Sequence, residues 1–268
     1  MHPSSPADWL DPQGDPTPVL DPEAHMLEMA ARRGHNKDVV CPQVVVGGFI
    51  DLMTAPMVKA TRAVDSNVHP HLKLGTLRDC PIGVATIPVG AARAVAVLEE
   101  LIALGARTIL IAGATGSLQS SIGVGDYVIP TEAVREEGVS FHYAPPSEIA
   151  RANGIATRTL ISAAHNSSRA VHTGSVWTTD ALYREFTGKI RTFANQGVLG
   201  VDMETSALMI VAAFRRVELG IILTVSDLVY RNDWPNIFGT DVYQDNCVHM
   251  ADIVMQAIGE LLETTGRV

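Results

Sequence analysis

Between residues 81 and 117 the chain reads PIGVATIPVG, then AARAVAVLEELIALG, then TILIAGATGS. The first and last segments are continuous apolar runs ending in glycine. The middle one carries its apolar residues at helical spacing. Strand, helix and strand in so short a span form a parallel crossover, because parallel neighbours need a connection of about a dozen residues or more. That unit predicts an α/β fold.

The rest of the chain extends the pattern. VCPQVVVGG reads as a strand stopped at Gly47 and Gly48, and DYVIPTEAV (126–134) and AVHTGSVWTT (170–179) as two more. SEIARANGIATRTLISAAH (147–165) reads as a helix, and TSALMIVAAFRRV (205–217) as a helix feeding the strand LGIILTVSD (219–227) in a second crossover. A last helix is expected over 241–262. Residues 1–40 read as an extension, a loose arm rich in Pro, Asp and Ser followed by a short helix over 22–34, and residues 41–268 as a single catalytic domain.

Charge and composition exclude several classes. With 20 Lys and Arg against 29 Asp and Glu the net charge is −9, and no basic block is present, so nucleic acid is not an expected partner. The start, MHPSSPADWLDPQGDPTP, has acids and prolines where a signal peptide needs basic and apolar stretches, and no apolar run is long enough to span a bilayer. Cys41, Cys80 and Cys247 fit neither a disulfide framework nor a zinc motif, which favours a cytoplasmic setting. The nine His are scattered, and HPH at 69–71 is not a ligand motif, so no metal is expected. VVVGGFIDL lacks the GxGxxG that a dinucleotide would need after the first strand.

In open parallel sheets the site lies where strands end, because helix starts and free N–H groups converge there. Four polar clusters sit at such ends: Gly90, the Gly113–Gly116 turn with Thr115, Trp177 to Asp180, and Ser226 with Asp227. Each alone reads as a cap or turn; together they suggest a pocket. Two acids stand out inside apolar runs, where an unpaired carboxylate is costly. Glu204, in VLGVDMETSAL, stands at a helix start and has two oxygens suited to a pair of neighbouring hydroxyls, as on a ribose. Asp227, at a strand end, reads as a cap or as a proton donor in a partly dry pocket.

The stretches GVLGVDMETSAL, ILTVSD, ILIAGATGSLQSSIGVGDYVIP and GSVWTTDALYRE together resemble the nucleoside phosphorylase family, which also contains nucleoside hydrolases. The resemblance covers roughly residues 42–260. It implies a single α/β domain with a twisted mixed β-sheet flanked by helices, a small-molecule nucleoside substrate, cleavage of its N-glycosidic bond, and a homo-oligomer (dimer, trimer or hexamer). It further implies that Glu204 holds the ribose 2′ and 3′ hydroxyls with Met203 under the sugar. Asp227, beside Ser226, would serve a departing purine, with Leu182 and Tyr183 along the base or sugar and Trp177 and Thr178 bordering the pocket. Arg135 and His142 match a sugar-site stretch of pyrimidine-type members.

The pattern breaks at phosphate. Ile111 stands where phosphorolytic members have Arg, Ala114 where they have Ser or Thr, and Asp51 replaces a further Arg. Arg is the residue that meets a phosphate with paired donors. These absences lean toward hydrolysis, with Glu132, Glu136 or Glu137 to orient water, although EE also reads as a solvated turn. The alternative keeps inorganic phosphate as co-substrate, held by Arg93, Arg135, Lys73, His69 or a neighbouring subunit, and a third reading is a specialised glycosyl transfer. Phe186 and Gly188 replace the uracil-reading Gln and Arg, so a purine fits better. A non-catalytic binder is the least favoured reading, since both acids are present.

Overall fold

The computed structural model describes residues 17–32, 41–152, 154–165 and 167–264. The chain begins with α1 (Pro22–Arg32), β1 (Val44–Gly48), α2 (Asp51–Thr61), β2 (Val64–Asp65), β3 (Leu72–Leu77) and β4 (Cys80–Thr86). Helix α3 (Ala91–Ala103) leads to β5 (Thr108–Ser117) and β6 (Tyr127–Glu136), followed by β7 (Ala150–Arg151), α4 (Ile155–Ala164) and β8 (Val171–Thr179). The last part holds α5 (Thr187–Asn195), β9 (Gly200–Asp202), α6 (Thr205–Arg215), β10 (Glu218–Leu228) and α7 (Asp241–Thr264).

The strands form one mixed sheet in the order β10-β6-β8-β9-β5-β1-β4-β3-β2. Strand β10 also pairs with β5, which closes β5, β10, β6, β8 and β9 into a ring. β1, β4, β5 and β10 run in one direction. β6, β8 and β9 run in the other. The crossover β4-α3-β5 is present, with β1 between its strands.

Both faces of the central strands are covered, which is why they read as unbroken apolar runs. Val45, Ile109, Ile111 and Ile221 pack with Leu98 and Leu101 of α3 and Leu208 and Val211 of α6. Val44, Val46, Leu110 and Ile222 face α2, α4 and α7 through Met57, Leu160, Val254 and Ile258. Full burial of each such side chain contributes about 1.5–3 kcal/mol. Met26 and Ala30 of α1 join the α3 side. Residues 1–16 and 33–40 of the expected extension lie outside the described residues.

Four expectations are corrected. The helix expected over 147–165 is confined to α4, because Ala150 and Arg151 pair with Glu132 and Ala133 of β6 and Gly154 lies against Glu218. That carboxylate accepts the Ala156 N–H at 3.2 Å and so caps the helix. The strand expected over 81–90 ends at Thr86. The second crossover is not a parallel one, since β9 is antiparallel to β5 while β10 is parallel to it. Gly113–Gly116 is not a turn: the segment continues β5, in register with Leu223 to Asp227 of β10.

Candidate active site

Where β5, β9 and β10 meet, a cavity of about 790 Å³ opens. Its placement follows from an irregularity in β10. The β5 register slips between Val225 and Asp227, and Asp227 then lies opposite Gly116. A Cβ at Gly116 would stand 2.7 Å from Val229 Cγ1 and 3.0 Å from Asp227 Oδ2, so this position needs glycine for close approach. Next to it, the Thr115 hydroxyl donates to the Val201 carbonyl at 2.9 Å and latches β5 to β9.

Glu204 leaves β9 as the residue that starts α6 and is 5% exposed. Its Oε1 accepts the Gly90 N–H at 2.6 Å. Gly90 has φ +98, a backbone form that suits glycine, at the start of α3. Burial raises the Glu204 pKa, and the Asp202 carboxylate raises it further. Asp202 is also raised by burial, opposed by its hydrogen bonds. It accepts the Thr178 hydroxyl at 2.7 Å, the Thr205 N–H at 3.2 Å and, at short range, the Thr205 hydroxyl. Thr178 in turn accepts the Ser206 N–H at 2.9 Å.

Asp227 is 7% exposed. Ser226 Oγ donates to its Oδ1 at 2.6 Å, and the Trp234 indole N–H donates to its Oδ2 at 2.8 Å. Trp234 reaches it because residues 228–237 fold back on β10, with Leu228 N–H on the Pro235 carbonyl and Ile237 N–H on the Ser226 carbonyl.

Glu204, Asp227, Met203, Ser226, Thr115, Gly116, Leu182 and Tyr183 all line this cavity, the last two as an exposed rim. The other expected residues stand elsewhere. Gly90 and Thr178 hold Glu204 and Asp202 from behind. Trp177 is fully buried, and its indole N–H donates to Glu136 at 2.7 Å. The Arg135 guanidinium is occupied by Ser140 Oγ and the carbonyls of Ala144, Pro145 and Glu148. His142 is exposed in a 3₁₀ turn (Val139–His142).

Of the three acids in TEAVREEG, Glu137 is no solvated turn residue: it is buried, accepting Ser206 Oγ at 2.8 Å and Ser140 N–H at 2.9 Å. Glu136 pairs with Lys189 and Glu132 with Arg151. Sequence reasoning passed over Phe49, Glu185, Trp234, Phe238 and Tyr243, which also line the cavity. Glu185 is half-buried, and burial together with the Asp227 charge pushes its carboxyl up to about 7, with a smaller push from Glu136.

The charged residues lining the cavity are Glu185, Asp202, Glu204, Asp227 and Arg231. Arg231 is gripped by Asp233 through two hydrogen bonds. Ile111 is core, Ala114 lines the cavity, and Asp51 is exposed at the start of α2. Of the substitute cations, Lys73 pairs with Asp65, and Arg93 borders a separate hollow with His69, which binds Glu100 at 2.7 Å. Among the described residues no group of three or more His, Cys, Asp or Glu is placed to hold a metal ion. No described helix is long and apolar enough to cross a membrane.

The family model of the phosphorylase superfamily matches residues 52–258. Uridine phosphorylase of Escherichia coli K12 is 29% identical over 196 residues, 68% of this chain and 76% of that protein. Guanosine phosphorylase of Halorubrum lacusprofundi is 31% identical over 137 residues, 51% of this chain and 57% of that protein. Among solved structures, uridine phosphorylase from Vibrio fischeri superposes with a TM-score of 0.72 at 22% identity, covering 82% of this chain and 93% of that one, a likeness of fold. These relatives are phosphorylases, and they correct the leaning to hydrolysis drawn from Ile111, Ala114 and Asp51.

Proposed function

The chain belongs to the phosphorylase superfamily, and on that premise we propose that it is a nucleoside phosphorylase, cleaving the N-glycosidic bond of a purine-type nucleoside with inorganic phosphate as the nucleophile. Family membership implies catalysis of phosphorylase type; the base, the sugar contacts and the nucleophile are the proposal.

One observation carries it. Glu204, at the start of α6, and Asp227, in β10, open onto one cavity large enough for a nucleoside. Breaking the C1′–N bond builds an oxocarbenium-like sugar and negative charge on the leaving base. In this reading Glu204 clasps the 2′ and 3′ hydroxyls, Met203 packs under the ribose, and the acid at the Asp227 end serves the base. A correctly placed acid contributes typically 10²–10⁴-fold, on the order of 3–5 kcal/mol. We assign this work to residues 41–268, in a cytoplasmic homo-oligomer, with residues 1–40 as an extension.

The test incubates purified protein with purine and pyrimidine ribonucleosides, with and without phosphate, and separates free sugar from sugar 1-phosphate. Sugar 1-phosphate released from a purine nucleoside only when phosphate is present is the expected result. No cleavage of any nucleoside with phosphate present sinks the proposal.

A further inference from the structure

We infer that the hollow between α1, the β2–β3 loop and α3 is a binding site for a phosphoryl oxyanion, separate from the cavity of Glu204 and Asp227. The inference stands apart from the nucleoside reading, because occupancy of this hollow is read without turnover.

The hollow has a volume of about 170 Å³. Helix α1 contributes His25 to its wall, the loop before β3 contributes His69 and His71, and α3 contributes Arg93 and Glu100. Positions 93, 96, 97 and 100 of α3 line it together, one face at helical spacing. Helix α1 precedes residues 52–258, which the family model matches, so that wall lies outside the shared part of the chain.

The HPH segment at 69–71 is fixed in place. His69 is 1% exposed, its Nε2 meets Glu100 Oε2 at 2.7 Å, and its Nδ1 accepts the His71 N–H at 3.2 Å. An accepting Nδ1 puts the ring proton on Nε2, which therefore donates to Glu100. That bond occupies the acid that lines the hollow. The His71 carbonyl accepts the Thr86 N–H at 3.0 Å, so the His71 backbone is held on both sides.

Donors without acceptors are left over. The side chains of His25, His71 and Arg93 make no hydrogen bond or ion pair with any described residue, and His71 has only the His69 ring near it, at 5.7 Å between centroids. His25 and His71 are half-buried and Arg93 is exposed at the mouth. In a chain of net charge −9, other basic groups are held by acids, Arg231 by Asp233, Arg215 by Glu99 and Lys73 by Asp65. A guanidinium offers five N–H donors and no acceptor, and a neutral imidazole offers one N–H. Donors from three elements suit a tetrahedral oxyanion, and Arg meets a phosphoryl group with paired bonds. A metal ion is the poorer occupant, since no group of three or more His, Cys, Asp or Glu among the described residues is placed to hold one.

The test follows the imidazole carbon–proton NMR signals of His25 and His71 in the full chain at fixed pH while inorganic phosphate is added, with chloride at equal ionic strength as the control. No described histidine lines the cavity of Glu204 and Asp227, so phosphate bound there touches neither ring. Saturable movement of both signals with phosphate, and none with chloride, is expected. R93Q, at an exposed position, should weaken this binding about 10-fold or more, and H71N should weaken it likewise, while H142N, outside the hollow, should leave it as in wild type. A parallel titration with ribose 5-phosphate separates the sources: tighter binding than phosphate assigns the site to a phosphate monoester, and equal or weaker binding assigns it to the free ion. No saturable movement with either compound, or movement that R93Q leaves unchanged, overturns the inference.

Discussion

At the end of the cavity built around Glu204, each polar side chain is anchored by regular structure, whereas the end built around Asp227 leans on turns. Asp202 ends β9, Thr178 lies in β8 and Gly90 opens α3, and their bonds to the acids are buried or nearly so. Opposite them, Trp234 is 52% exposed, Tyr183 is 94% exposed, and Glu185 sits between the 182–184 turn and the start of α5. Groups held by strands and helix starts are positioned once for all substrates, while loop groups repack at lower cost. Under the proposed function, the fixed end is the one that would hold a common sugar and the adaptable end the one that would set which base is accepted.

Loss of the Glu204 carboxylate should cost most, measured above its pKa, which burial and then Asp202 raise to about 8. Hydrogen bonds to a charged acceptor are worth about 1.5–3 kcal/mol each. E204Q should therefore lower kcat/KM on a ribonucleoside by about 10²-fold or more. On a 2′,3′-dideoxynucleoside, wild type and variant should be nearly equal. A dideoxy substrate as sensitive as the ribonucleoside would break the assignment of this end to the sugar.

The same variant has a stability signature. The folded-state pKa of Glu204 is raised, so from the ordinary carboxylate range up to that raised value the folded chain binds more protons than the unfolded one. Stability then falls as pH rises across this window. E204Q removes that dependence and should melt a few °C above wild type on the alkaline side, at about 2–4 °C per kcal/mol. Thermal melts across pH check it, and a pH-independent difference would rule out burial of the charge as its source.

G116A probes the seam between the two ends. The added methyl meets Val229 and the Asp227 carboxylate, so something must move. Overpacking costs about 1–3 kcal/mol, and the displaced acid should lower kcat/KM by roughly 10-fold, while discrimination between ribo- and dideoxy-nucleosides stays as in wild type. T178V, by contrast, should act mainly on stability. It leaves Asp202 and the Ser206 N–H without their buried partner, at a cost of about 1–3 kcal/mol, read as a lower melting temperature with a few-fold change in rate.

How much of this could be read from the chain divides along the same line. The crossover β4-α3-β5 was legible because covered faces leave continuous apolar runs, and Glu204 and Asp227 were legible because acids interrupt such runs. The β3-β4 hairpin was not: its two-residue turn uses Arg78 and Asp79 at φ 50 and 63, where Asn-Gly is the readable signal. Helix α2 was hidden by the proline inside it, Pro56. Trp177 looked like a pocket wall, yet its indole partner Glu136 is on the next strand, a pairing that local sequence does not reveal. Glu185 escaped notice for a related reason, since its neighbour Asp227 is brought to it only by the closing of the sheet.

The mildest change tests the loop end by itself. W234F keeps an aromatic ring near Phe238, whose centroid is 6.5 Å away, and removes the N–H that Asp227 accepts. Because Trp234 is half-exposed, water replaces much of that bond, and the net loss should be near the lower end of about 0.5–1.5 kcal/mol. That corresponds to a two- to fivefold, at most roughly 10-fold, fall in kcat/KM. The more telling quantity is the ratio of rates on purine and pyrimidine nucleosides. It should change in W234F, because freeing Asp227 Oδ2 alters what the base meets, and it should not change in T178V, whose effects stay on the sugar side. A W234F loss as deep as that of E204Q, with the base ratio untouched, would mean that the loop is as fixed as the strands and that the two ends do not differ in the way their construction implies.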